Sequence, residues 1–362
     1  MNKDFLRFNI PLKPDLSEYS DRLRTIWKSN WHTNNGLLLQ SLELELRQRY
    51  NHEFVVVVAN GTVALQMAVE LLSVNGSDII TTPYTFVATS SSIKWQRRNP
   101  RYVDIDKDTW NIDASLIEEK IGTNTSAILA THLFGNPCNT ASIAEIARNR
   151  GLKLIYDASH CFDTFKNSRS VYLNGDISTA SFHATKIFHT VEGGALFLKT
   201  QELYEKAIRM RNFGHNGLYQ FSGVGINGKM SEYHAAMGLC ILPMMFKVKA
   251  KRKLLCDRYK SNLEGIFKID YQLFDPSVEY NYSYFPVLFK DIDTNELISY
   301  LRDNRVEAKK YFYPTLNRVY NTPDFCPVAE RISNQVLCLP CYYDLSELEV
   351  DYICQKILQY IS

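Results

Sequence analysis

Short apolar strands alternate with helical segments in the first half of the chain, and this alternation limits the fold more than any other feature. Residues 54–58 are a continuous apolar run rich in valine, which is typical of a strand buried on both faces. Further strands are predicted at residues 78–82, 102–105, 127–130 and 153–157, and helices at residues 64–72, 87–96, 115–121 and 143–150. Such alternation predicts an α/β fold with a mostly parallel sheet covered by helices on both faces.

The sequence changes character after about residue 240, which indicates a second domain. Residues 247–258 form a basic helical segment, residues 280–286 are rich in tyrosine, and a last helix is predicted at residues 347–360. A chain of 362 residues is also too long for one small core. We therefore expect a large domain at residues 1–245 and a smaller α+β domain at residues 246–362.

Charge and hydropathy argue against two classes of protein. The 41 Lys and Arg residues nearly balance the 39 Asp and Glu residues, so net charge gives no reason to expect a nucleic-acid partner. The sequence has no apolar run of roughly 18 residues, the length that spans a bilayer, and residues 1–5 lack the apolar stretch of a signal peptide. We expect a cytoplasmic protein with reduced thiols and no membrane partner.

Polar residues with chemical potential follow the predicted strands. Residues 60–62 (Asn-Gly-Thr) join the first strand to a helix, Asp157 ends an apolar strand, and Lys186 precedes the pair Gly193 and Gly194. In parallel sheets ligands bind beyond the carboxyl ends of strands. A helix N-terminus suits a phosphate, and a buried amine is nucleophilic. An amine, an acid and a phosphate-binding turn are what pyridoxal 5′-phosphate (PLP) requires.

Each of these residues also fits an ordinary structural role. Lys186 fits a surface lysine, Asp157 fits a cap or turn residue, and residues 60–62 fit a simple strand-to-helix connector. The interpretation as a PLP site depends on their occurrence together and in this order.

Three other motifs are assigned no chemistry. Residues 223–228 match G-x-G-x-x-G, but no strand clearly precedes them, so we expect a flexible loop and no dinucleotide site. Cys338 and Cys341 match C-x-x-C without a second pair at zinc spacing, so two buried thiols are expected. The histidines form no spaced set, and no metal site is predicted. The adjacent His160 and Cys161 resemble a nucleophile dyad only in sequence, because neighbouring side chains often point apart.

Taken together, the motifs resemble the DegT/DnrJ/EryC1/StrS family of sugar aminotransferases, which have the aspartate-aminotransferase fold (PLP fold type I). The resemblance implies a large domain with a mostly parallel mixed sheet and a smaller C-terminal α+β domain. The segments that carry it, in order along most of the chain, are residues 31–36, 60–65, 83–89, 103–106, 132–137, 157–160, 181–186, 192–197 and 225–232.

The resemblance implies a role for each matching residue. Lys186 would form the Schiff base with PLP and move the proton at its C4′ atom. Asp157 would pair with the pyridine nitrogen of the cofactor, and His160 would lie near its phenolic oxygen. Phe86 would stack on the face of the pyridine ring.

Further matching residues would bind the phosphate. Gly61, Thr62 and Ser181 would hold it within one subunit, and Asn227 would reach the phosphate of the neighbouring subunit. The last role implies a homodimer with shared active sites, so a monomer should be inactive.

The resemblance also implies a reaction in two halves. L-Glutamate would give its amino group to the cofactor and leave as 2-oxoglutarate, and a nucleotide-linked keto sugar would then be aminated. Residues 181–186 and 311–314 are similar to the subgroup that acts on dTDP-linked keto-6-deoxyhexoses. Amination at C4 of dTDP-4-keto-6-deoxy-D-glucose is favoured, and amination at C3 is the alternative. Lys310 and Tyr313 are candidates for contacts with the substrate, with surface roles as the alternative.

Three rival functions are weighed against this interpretation. A dehydratase branch of the same fold carries His in place of the Schiff-base lysine, and Lys186 argues against it. A non-catalytic PLP-binding regulator would need an added DNA-binding segment, and the sequence shows none. A Rossmann dehydrogenase has only the rejected glycine loop in its favour.

Overall fold

The computed structural model describes residues 5–72 and 76–362. The helices are α1 Leu16–Ser29, α2 Leu37–Tyr50, α3 Gly61–Leu71, α4 Val87–Trp95, α5 Thr140–Arg150, α6 Gln201–Arg211, α7 Glu232–Ile241, α8 Met245–Asn262, α9 Thr294–Asp303, α10 Leu316–Val319, α11 Pro327–Gln335 and α12 Glu347–Ile361. The strands are β1 Val55–Val58, β2 Asp78–Thr81, β3 Asn99–Tyr102, β4 Thr125–Thr131, β5 Lys153–Asp157, β6 Phe165–Lys166, β7 Arg169–Ser170, β8 Ile177–Ser181, β9 Gly194–Leu198, β10 Ile269–Asp270, β11 Val278–Glu279, β12 Phe285–Phe289 and β13 Val336–Leu339.

A seven-stranded sheet forms the centre of the molecule, in the order β1-β9-β8-β5-β4-β2-β3. Strand β9 is antiparallel to both of its neighbours, and the other pairs in the sheet are parallel. The α/β fold with a mostly parallel mixed sheet, predicted from the sequence, is therefore confirmed.

Helices cover both faces of this sheet, as the alternation predicted. Successive side chains of a strand point to opposite faces, and β1 follows this rule. Val55 and Val57 pack in a core with α2 and α7, while Val56 and Val58 pack in a second core with α3 and α6. Helix α5 packs against β2, β4 and β5 in a further core. The valine run of β1 is therefore buried on both faces of the sheet, as predicted.

Two predicted elements were wrong in detail. The strand expected at residues 102–105 is instead Asn99–Tyr102 at the edge of the sheet, where Pro100 is tolerated because one side of the strand needs no donor. The helix expected at residues 115–121 is a pair of 3₁₀ turns. In that segment Ile117 is the fully buried residue, so the apolar stripe that stabilises an α-helix is missing.

The later part of the chain builds a separate three-stranded antiparallel sheet, in the order β10-β12-β13. Side chains from α8, α9 and α12 pack on it around one hydrophobic core, which Leu6 near the N-terminus also joins. Helix α8 enters both parts: Met245 and Val248 pack in the core beneath β1, and Leu255 and Cys256 pack in this one. The division of the chain at residue 245 stays a prediction. In the described part of the chain, every helix is too short or too polar to cross a bilayer.

Candidate active site

A cleft of about 550 Å³ lies where the strands of the central sheet end. Its lining includes Thr131, Asp157 and Ser181, which are the last residues of β4, β5 and β8. The turn after β1 and the segment after β2 complete this side of the cleft. The position agrees with the rule that ligands bind at the carboxyl ends of parallel strands.

The cleft collects most of the residues that the sequence singled out. Those that line it are Gly61, Thr62, Phe86, Asp157, His160, Ser181 and Lys186. Residues far apart in the sequence are thus brought to one side of the sheet.

The turn after β1 can bind a phosphate. Asn60 caps α3, since its side chain accepts a hydrogen bond from the N–H of Val63 (2.9 Å). The first N–H groups of the helix have no partner within the helix, and they begin at Gly61. A Cβ atom on Gly61 would lie 2.8 Å from the Cβ of Ser181, so only glycine allows this close approach. The arrangement offers backbone N–H groups and the Ser181 hydroxyl to one anion.

Asp157 is buried, and donors hold both of its carboxylate oxygens. Thr89 Oγ1 donates to Oδ2 (2.7 Å). Ser159 donates to Oδ1 through its N–H (3.2 Å) and its hydroxyl (2.6 Å). The carboxylate therefore has a fixed orientation at the wall of the cleft and can face a positively charged ring nitrogen.

Lys186 places its amine deep in the cleft, although its side chain is only partly buried. Nζ donates to the hydroxyl of Tyr284 (3.2 Å). Burial lowers the pKa of the Lys186 amine to about 8, although the Asp157 carboxylate acts in the opposite direction. About a tenth of the amine is therefore neutral and nucleophilic at pH 7, far more than for an ordinary lysine.

His160 is a neutral hydrogen-bond donor toward the cleft. Its Nδ1 accepts the N–H of Phe134 (3.1 Å), so the ring proton lies on Nε2. Burial, and secondly the Lys186 amine, lower the pKa of His160 well below its usual value. The ring of Phe312 stacks parallel to the imidazole with a centroid distance of 5.7 Å. Cys161, which follows His160 in the sequence, packs instead in the hydrophobic core.

The opposite wall of the cleft is aromatic, and the sequence did not predict it. Tyr284, Tyr311 and Phe312 line it, and Phe86 faces Phe312 with a centroid distance of 6.1 Å. The hydroxyl of Tyr84 donates to the carbonyl of Tyr311 (2.7 Å) and anchors this segment. The tyrosine-rich residues 280–286 and the Tyr-Phe-Tyr at residues 311–313 were the available signal, but no spacing linked them to Lys186.

Three predicted site residues lie outside the lining of the cleft. Asn227 is exposed in the loop between α6 and α7 and forms a bridge with Asn212. Lys310 bonds to Asn295 Oδ1 (2.9 Å), and its amine lies over the ring of Tyr313. The roles of Asn227, Lys310 and Tyr313 stay predictions.

The motifs without assigned chemistry have structural roles here. Residues 223–228 lie in the loop between α6 and α7 and are mostly exposed, while the expected flexibility stays a prediction. Cys338 and Cys341 are buried free thiols, which confirms that expectation, and Cys341 lies 3.9 Å from Cys256. Among the residues that the structure describes, no three His, Cys, Asp or Glu side chains are grouped closely enough to hold a metal ion.

The residues of the cleft fit PLP. The cradle at Gly61 and Ser181 has the donors and the space for a phosphate, and Asp157 presents a carboxylate that is already oriented. Lys186 supplies an amine with a lowered pKa. Aromatic rings flank the space between these groups, and a flat heteroaromatic ring packs well against such walls.

Comparisons with known proteins agree with this arrangement. The model of the DegT/DnrJ/EryC1/StrS aminotransferase family matches residues 15–358. The dTDP-4-amino-4,6-dideoxy-D-glucose transaminase of Shigella dysenteriae is 40% identical over 355 residues, 96% of each chain. The Escherichia coli protein of the same name is 36% identical and covers 99% of each chain.

A solved structure shows the same fold over almost the whole chain. It is that of DesI, determined in the presence of its TDP-sugar product, with a TM-score of 0.93 and 26% identity. The match covers 98% of this chain and 92% of DesI. Together with the match of the family model, these similarities show that the chain belongs to the DegT/DnrJ/EryC1/StrS aminotransferase family.

Proposed function

We propose that this aminotransferase moves an amino group from L-glutamate to dTDP-4-keto-6-deoxy-D-glucose and forms dTDP-4-amino-4,6-dideoxy-D-glucose. The observation that carries the choice of sugar is the 40% identity, over 96% of both chains, with the Shigella dysenteriae enzyme of that name. The cleft supports the reaction type, because an amine, an oriented carboxylate and a phosphate cradle line one cavity.

PLP, when bound, supplies a carbonyl carbon that takes up the amino group and a ring that stabilises negative charge on the adjacent carbon. The Asp157 carboxylate would then hold the proton on the ring nitrogen. The donors from Thr89 and Ser159 keep that carboxylate in place.

Lys186 moves the protons of the reaction. Its Nζ would take a proton from the substrate carbon that bears the amino group and return it to C4′ of PLP, on the other side of the nitrogen, as general base and then acid. An amine with a pKa of about 8 suits both tasks, because neither of its protonation states is scarce near neutral pH. Tyr284 accepts a hydrogen bond from the amine and orients it.

The remaining groups orient the ligands and exclude water. His160 would donate from Nε2 to the phenolic oxygen of PLP. Gly61, Thr62 and Ser181 would hold the phosphate. Phe86, from the segment after β2, and Phe312 face each other across part of the cleft and help to exclude water. Since 2-oxoglutarate would leave before the keto sugar binds at the same groups, ping-pong kinetics are expected.

A homodimer is part of the proposal. The loop between α6 and α7 carries Asn227 and exposes large apolar side chains, with Leu218 81% and Tyr219 89% accessible. Exposed apolar residues of this kind favour contact with a partner. A second copy that covers this loop would bring Asn227 to the phosphate of its neighbour, and a monomer would then be inactive.

The test is to incubate the PLP-loaded protein with L-glutamate and dTDP-4-keto-6-deoxy-D-glucose and to identify the product by mass spectrometry and NMR. A sugar aminated at C4 supports the proposal. If glutamate bleaches the cofactor but this sugar gives no product, the choice of sugar is wrong, and dTDP-3-keto-6-deoxyhexose is the next substrate. If glutamate also fails to bleach the cofactor, the proposed amino donor is wrong.

A further inference from the structure

Three threonine hydroxyls form a chain that ends on Asp157. Thr131 Oγ1 lies 3.1 Å from Thr85 Oγ1, which lies 3.0 Å from Thr89 Oγ1, which lies 2.7 Å from Asp157 Oδ2. The three threonines are at most 3% exposed. They come from the end of β4, the segment after β2, and helix α4, so the chain joins three elements of the fold.

The chain has one possible direction while Asp157 is ionised. A carboxylate only accepts hydrogen bonds, so Thr89 donates to it. Each hydroxyl has a single proton, so Thr89 must accept from Thr85, and Thr85 must accept from Thr131. All three protons therefore point along the chain toward the carboxylate.

The two oxygens of Asp157 differ in what they can still accept. Oδ1 receives the N–H and the hydroxyl of Ser159, which use both of its lone pairs. Oδ2 receives only Thr89, so it keeps one lone pair. Since Asp157 lines the cleft, Oδ2 is the oxygen that can still accept a proton donor from a ligand.

We propose that Thr89 is a positioning residue that fixes Oδ2 of Asp157 for the ring N–H of PLP, and that Thr85 and Thr131 fix Thr89 in turn. The inference rests on the proposed pairing of Asp157 with the pyridine nitrogen, and it does not depend on the identity of the sugar. Without the Thr89 hydroxyl, Oδ2 of Asp157 loses the donor that sets its direction.

The test measures binding of two probes to the apoenzyme by fluorescence titration: PLP, and the 1-deaza analogue in which carbon replaces the ring nitrogen. Thr89→Val removes the hydroxyl and keeps the branched shape, and Thr89→Ser restores the hydroxyl. We expect Thr89→Val to weaken PLP binding roughly tenfold, the usual effect of losing a hydrogen bond to a charged group. Binding of the analogue should change less than about twofold, and Thr89→Ser should bind PLP nearly as the wild type does.

An equal loss for both probes in Thr89→Val would overturn the inference, because it would mean that Thr89 only packs the site. No loss for either probe would overturn it as well. Asp157→Asn tests the underlying pairing separately. It should weaken the binding of PLP and leave the binding of the analogue unchanged, whatever the role of Thr89. If Asp157→Asn weakens the binding of both probes equally, the proposed pairing of Asp157 with the pyridine nitrogen is wrong, whatever Thr89→Val shows.

Thr85→Val keeps the inference testable if Thr89→Val does not fold. This variant removes the donor to Thr89, one step further from the carboxylate. A smaller loss than that expected for Thr89→Val, again confined to PLP, supports the chain of hydroxyls. A loss of equal size for the analogue contradicts it.

Discussion

The two walls of the cleft differ in origin and in chemistry. One wall is polar and is built by strand ends and turns of the central sheet, with Asp157, Ser181 and Lys186. The other is aromatic and is built by Tyr284, Tyr311 and Phe312, from segments near the second sheet. The parallel sheet brings charged and hydroxyl groups to fixed points. The aromatic segments shape the space in front of these groups and exclude water from it. Most of the groups that enclose the space therefore come from later in the chain than the groups that carry out the chemistry.

The largest test of this contrast is Lys186→Ala on the polar wall. The amine both holds the cofactor and moves the protons, so activity should fall at least about a thousandfold. Product formation measured by mass spectrometry gives the result. Activity within about tenfold of the wild type would mean that another group moves the protons.

Asp157→Asn keeps the shape of the polar wall and removes its charge. The ring nitrogen then loses the carboxylate that holds its proton, so the rate at which glutamate bleaches the bound cofactor should fall roughly a hundredfold. Stopped-flow absorbance measures that single half-reaction. An unchanged rate would show that the carboxylate has only a structural role.

The pKa of Lys186 predicts how the apoenzyme captures PLP as the pH changes. Burial lowers this pKa to about 8, so the neutral amine rises from about a tenth at pH 7 to about nine tenths at pH 9. The rate of capture, followed by visible absorbance, should rise roughly tenfold over that range and level off above it. Nα-Acetyl-lysine, which keeps a free side-chain amine, is the control. Its rate of reaction with PLP should continue to rise to about pH 10.4. A protein profile that follows the control would contradict the lowered pKa.

The smallest effect is expected from the aromatic wall. Tyr284→Phe removes the hydroxyl that accepts from Lys186 (3.2 Å) and keeps the ring, so kcat should fall roughly fivefold with little change in PLP affinity. Tyr311→Phe is the matched control, because Tyr311 lines the same wall while Lys186 bonds to Tyr284. Equal effects of the two variants would show that the wall acts only by shape.

The sequence predicted the polar wall because its residues belong to local patterns. Asp157 ends an apolar strand, residues 60–62 follow a valine run, and Lys186 precedes a glycine pair. The aromatic wall lacks such a pattern, since Tyr284 and Phe312 are far apart in the sequence and come to the same cleft only in the folded chain. The threonine chain was also out of reach, because it depends on the register that sets Thr131 beside Asp157 between β4 and β5.

The same limit applies to the fold. Buried strands such as Val55–Val58 were predicted within a residue, because burial on both faces leaves a continuous apolar run. The edge strand Asn99–Tyr102 was displaced by three residues, because an edge strand admits Pro100 and needs fewer apolar residues.

Helix α8 has a mechanical consequence for the cleft. Because its side chains are anchored in the core beneath β1 at one end and in the core of the second sheet at the other, it acts as a rigid strut between them. A helix packed at both ends passes a displacement of one core on to the other. A shift of the second sheet would therefore displace the central sheet as well, because a packed helix and not a flexible linker joins the two.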